Sequence, residues 1–100
     1  SLHDALPISP IVGTFYCREG VEFHVDPGKA EVFVDGELLG IADLWDGMGR
    51  GDVWYPEDEG VYYAHFVREG YRPAWVKIVV SPNAAEEIAE VDTELEEVDG

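Results

Sequence analysis

The chain has 100 residues and a formal net charge of -16, from six Lys or Arg against 22 Asp or Glu. An acidic excess of that size repels the phosphates that supply most nucleic-acid affinity, so nucleic acid and anionic membranes are not expected partners. Apolar residues make up 46% and aromatics 12%, which suits one domain with a modest core rather than a disordered chain.

The first nine residues, Ser1 to Ser9, resemble a translated sequencing-adapter stretch and are expected to be an artefact, so that the native start is missing. Residues 1–19 as a whole read as an N-terminal tail. Cys17 is the one cysteine, which excludes an intramolecular disulfide. Phe15 and Tyr16 precede it where a lipid-anchoring signal needs small residues. The chain has neither an apolar run of about 18 residues for a membrane span nor a basic start followed by an apolar stretch. Direct membrane insertion is not expected.

Gly20 to Asp26 alternates, with Val21, Phe23 and Val25 on one face and Glu22, His24 and Asp26 on the other, which predicts a half-buried strand. Pro27-Gly28-Lys29 breaks it. Ala30, Val32 and Val34 resume the alternation up to Asp35-Gly36, a dipeptide that tolerates the positive φ of a tight hairpin. A short strand is expected over Glu37 to Ile41, followed by a glycine-rich irregular loop from Asp43 to Asp52. Asp52 to Tyr55 reads as one more strand, ended by Pro56 and the acidic turn Glu57 to Gly60.

Val61 to Arg68 then alternates Tyr62, Ala64 and Phe66 with Tyr63, His65 and Val67. After the Glu69-Gly70 turn, Val76, Ile78 and Val80 alternate with Trp75, Lys77 and Val79, and these two strands should pair as a hairpin. Ala84 to Leu95 has helix-forming composition. Its apolar residues Ala89, Val91, Thr93 and Leu95 nevertheless recur at period two, which favours a last strand. The expected fold is all-β, a small antiparallel β-sandwich of about six to seven short strands over residues 20–97, with residues 98–100 as a tail.

Taken in order, these motifs resemble the PEGA domain, a β-sandwich module of bacterial and archaeal envelope proteins and multidomain sensors. The carriers are Val25-Asp26-Pro27-Gly28-Lys29-Ala30-Glu31-Val32-Phe33-Val34-Asp35-Gly36, Gly40, Gly60-Val61-Tyr62-Tyr63 and Glu69-Gly70-Tyr71-Arg72, within roughly residues 20 to 96. The chain departs from the family pattern in the loop from Ala42 to Asp52, and at Gly28, where the family has an acidic residue. The resemblance implies a non-catalytic accessory domain of a larger envelope or secreted protein, a structural spacer or interaction module. It also implies a cell-envelope or extracellular location, with neighbouring domains or envelope proteins as partners.

No motif supplies the context that catalysis or a cofactor needs, so neither enzyme activity nor a cofactor is expected. Gly47-Met48-Gly49-Arg50-Gly51 suggests a phosphate loop by its glycines, but it lacks a following helix and is surrounded by Asp43, Asp46 and Asp52. Those three carboxylates could serve Ca²⁺, although their spacing is not that of an EF-hand. His24 and His65 fall on solvent faces without a neighbouring Cys or His, so no metal site is expected. Cys17 lacks a positioned base, Ser81 lacks the frame of a nucleophile elbow, and Glu57 and Glu59 have no indicated cleft. The remaining binding candidates are aromatic: Phe33, Tyr63 and Trp75 on outward faces, together with Trp54. Their rings suit docking on another domain or stacking on a cell-wall glycan, and the alternative function is therefore a carbohydrate-binding module.

Overall fold

The computed structural model describes residues 10–47 and 51–98. Among these, seven strands form two packed sheets: β1 (Ile11–Cys17), β2 (Gly20–Asp26), β3 (Glu31–Val34), β4 (Glu37–Ile41), β5 (Gly60–Val67), β6 (Ala74–Val80) and β7 (Ile88–Glu94). One sheet has the order β1-β6-β5-β3-β4, and β2 and β7 make up the other. The all-β class and short strands are those expected from the alternation. Residues 1–9, 48–50 and 99–100 lie outside the described part, and with them the adapter-like start and the centre of the glycine loop.

The core follows from the period-two pattern. Val32, Val34, Ala64, Phe66, Val76 and Ile78 face inward from the larger sheet, against Val21, Phe23, Val25, Ala89 and Val91 from the smaller. Phe23 and Phe66 meet edge to face at 5.8 Å across the two layers. At the β3–β4 hairpin Asp35 has φ 50° and Gly36 φ 86°, the two positive angles of a type I′ turn, which joins strands in two residues. The Asp35 carboxylate also accepts the backbone N–H of Tyr63 at 2.9 Å, tying the turn to β5.

Ile11–Cys17, expected as tail, instead form an edge strand of the larger sheet. Cys17 is fully buried and Phe15 packs on the core. Here β1 runs parallel to β6, and β2 runs parallel to β7, so the sandwich is antiparallel only in part. The physical reason is a shared corner. The β1–β2 run and the β6–β7 run cross from one sheet to the other side by side, joined by Ser81 N–H to Cys17 O, Arg18 N–H to Glu86 O and Glu19 N–H to Glu87 O. Arg18 fastens the same corner by donating to the carbonyls of Ala84 and Ala85, both at 2.9 Å. At the other pole, the start of β1 and the end of β7 line one groove, with Val12 and Gly13 facing Glu94, Leu95 and Glu96.

Two further expectations are corrected. Asp52 to Tyr55 is no strand: Trp54 makes a single antiparallel bridge to Val21, with reciprocal N–H to O bonds of 2.9 Å. The loop after β4 begins with a 3-10 turn over Ala42–Trp45, which buries Ala42 and folds back on β2. A Cβ at Gly28 would collide with the Asp43 carboxylate, and Asp43 N–H donates to Gly28 O at 2.9 Å. The loop after β4 and Gly28 thus meet in space. In the region assigned to the C-terminal tail, Val98 N–H donates to Gly70 O.

Candidate functional site

Antiparallel strands usually turn polar side chains to water, but the outer face of the five-stranded sheet does not follow that habit. In-register pairing aligns Leu38 of β4, Phe33 of β3, His65 of β5 and Trp75 of β6 in one row. Phe33 stacks on His65 with centroids 4.8 Å apart, and His65 stacks on Trp75 at 4.1 Å. Tyr63 and Lys77 pair in the next row, and Val61, Val79 and Tyr16 in the one beyond. No described element covers this face, because the two-stranded sheet packs on the opposite side. Leu38 is 50% exposed, Val61 48% and Tyr16 56%.

Of the four aromatic candidates, the fold therefore gathers Phe33 and Trp75, with Tyr63 in the adjoining row. Trp54 does not join them. Its ring lies half-buried at the core margin, 6.4 Å from Phe23 and 5.3 Å from Tyr62. His65 is the member that alternation placed on this face without assigning it a role. It stands between two rings with Nδ1 buried and no hydrogen-bond partner, and burial lowers its pKa from the ordinary value.

The stacking decides what the row offers. Rings that stand on the sheet and stack on one another use their faces internally and present edges outward. A sugar needs a free ring face, and both faces of His65 and one each of Phe33 and Trp75 are occupied. An edge-on apolar strip suits a broad, flat protein surface better than a sugar ring.

The other chemical candidates separate clearly. Burial raises the Cys17 thiol above its usual pKa, the reverse of what a nucleophile needs. The hydroxyl of Ser81 accepts the backbone N–H of Asn83 within its turn. Among the described residues the fold brings together one group of metal-ligating side chains, Glu22, His24 and Glu90, rather than the loop carboxylates Asp43, Asp46 and Asp52. Their ligand atoms lie within 4.8 Å of one another, and His24 Nε2 is 3.0 Å from Glu22 Oε1. Glu22 and His24 were visible in sequence as neighbours on one strand face. Glu90 joins them only through the parallel β2–β7 register.

Among the described residues no helix is long and apolar enough to cross a membrane. No family model matches the chain, and no curated protein matches it.

Proposed function

We propose that this domain is a non-catalytic interaction module, a PEGA-like accessory unit of a larger envelope or secreted protein, that docks a partner domain on the outer face of its five-stranded sheet. The observation that carries the reading is the uncovered row Leu38, Phe33, His65 and Trp75, with Tyr63 and Lys77 in the next row and Val61 and Tyr16 in the one beyond. Exposed apolar and aromatic side chains gathered on one sheet face mark contact sites on soluble proteins. The charge of -16 opposes association with a second copy and favours a partner whose rim is basic. Glycan binding is the weaker reading, since the stacked rings leave few free faces.

The test places a photo-crosslinking amino acid at Val61 or Leu38 in the parent polypeptide, with the same probe at exposed Glu87 as reference. The expected result is an adduct to a neighbouring domain or an envelope protein from the two face positions and none from position 87. Labelling of glycan, or no adduct above the reference, overturns the proposal.

A further inference from the structure

The two-stranded sheet has its own outer face, and its chemistry is different. Side chains of β2 and β7 that point away from the core are Glu22, His24 and Asp26 opposite Glu90, Asp92 and Glu94, each pair in direct register. Carboxylates placed directly across strands repel, and here two such pairs, Glu22 with Glu90 and Asp26 with Glu94, occur on one narrow face of a chain already at -16. The groove beside His24 is lined by Asp26, Asp43, Asp46, Asp92 and Glu94 and by no Lys or Arg. The neighbouring loop also confines Glu22, because a Cβ at Gly47 would run into its side chain. As a result Glu22 and His24 are largely shielded, at 16% and 21% side-chain exposure, while Glu90 is exposed.

We infer that Glu22, His24 and Glu90 form a binding site for a zinc-class divalent ion, with one nitrogen and two oxygen ligands. The imidazole is what distinguishes this group from a merely acidic patch. Hard ions such as Ca²⁺ and Mg²⁺ take all-oxygen shells, whereas Zn²⁺ takes His nitrogen with carboxylate oxygen. Ligand bonds of about 2.0–2.1 Å at tetrahedral angles separate ligand atoms by about 3.3 Å. The His24–Glu22 separation of 3.0 Å is already close to that, and the 4.8 Å limit on the set leaves a movement that a rotamer change of exposed Glu90 supplies. Two ligands come from alternate positions of one strand and the third from its hydrogen-bonded neighbour, so the backbone holds the site without a flexible loop. Water would complete the shell. On binding, Nε2 would exchange its contact with Glu22 for the metal.

The experiment is calorimetric titration of the full chain with ZnCl₂ in the presence of excess Mg²⁺, which occupies diffuse carboxylate sites. One saturable site per chain is expected. His24→Gln and Glu90→Gln should each weaken it by about tenfold or more. Asp52→Asn, and His3→Ala in the region outside the described residues, should leave it unchanged. Co²⁺ in place of zinc should give visible absorption bands that disappear in His24→Gln, and the thermal melt of each variant in EDTA shows that it still folds. Failure to saturate at millimolar zinc, or zinc affinity unaltered by His24→Gln, overturns the inference.

Discussion

His65 carries an unsatisfied Nδ1 between the rings of Phe33 and Trp75, on a face where Lys77 and Glu31 stand in adjoining rows. A buried nitrogen without a partner destabilises, and an apolar ring of similar shape removes that penalty. Free in the unfolded chain, the imidazole titrates near about 6.5, and burial lowers this in the folded state. Between the two values the unfolded chain binds the extra proton, so stability is complete above about pH 6.5 and is lost as the pH falls below it. His65→Phe is therefore expected to melt at or above the wild-type temperature at pH 7, and its advantage should widen on going to pH 5. Thermal melts at matched ionic strength check this, and a difference independent of pH would count against it. Alternation alone placed His65 on the outer face. Its partners come from strands β3 and β6, and no local pattern announces them.

Strand β1 shows best what was legible among the elements. Segments such as β2 and β7 alternate apolar with charged residues because one face meets the core and the other water, and that contrast is readable. In β1 the inward Phe15 and Cys17 alternate with Tyr16 on the uncovered apolar face, so the contrast disappears and the segment reads as tail. The Asp35-Gly36 hairpin was readable because its backbone angles are demanded locally. Parallel pairing of β1 with β6 and β2 with β7 was not, because it depends on two distant runs turning one corner together. Glu90 escaped notice for the same reason. Deleting residues 1–17 tests the weight of β1 directly. The deletion should abolish the cooperative thermal transition seen by circular dichroism, since it removes the fully buried Cys17, the packed Phe15 and every bond of β6 on that side. A tail would be removed with no change in melting temperature.

At the scale of the whole molecule, sixteen uncompensated negative charges surround a chain with a Cα radius of gyration of 13.0 Å. The molecule is wider than the Debye length of about 10 Å at 0.1 M salt, so at that salt repulsion acts mainly between neighbouring carboxylates and reaches across the fold only at low ionic strength. Raising NaCl from low ionic strength to 0.5 M is expected to raise the melting temperature, by roughly 4–8 °C for each kcal/mol of repulsion screened. A melting curve unmoved by salt would count against charge repulsion as a term in the stability. Charge and shape also bear on how such a unit sits in a longer polypeptide. The groove shared by Val12, Gly13, Glu94, Leu95 and Glu96 brings the beginning of β1 and the end of β7 to one pole. A chain that enters at Ile11 and leaves beyond Val98, whose N–H is held by Gly70 O ahead of β6, would pass in and out at the same pole. Within a longer polypeptide such a domain would hang as a side bead, adding little to the contour length. Tension on the two ends would open β1 and β7 one hydrogen bond at a time, a poor arrangement for a mechanical strut and a suitable one for holding a sheet face out to the side.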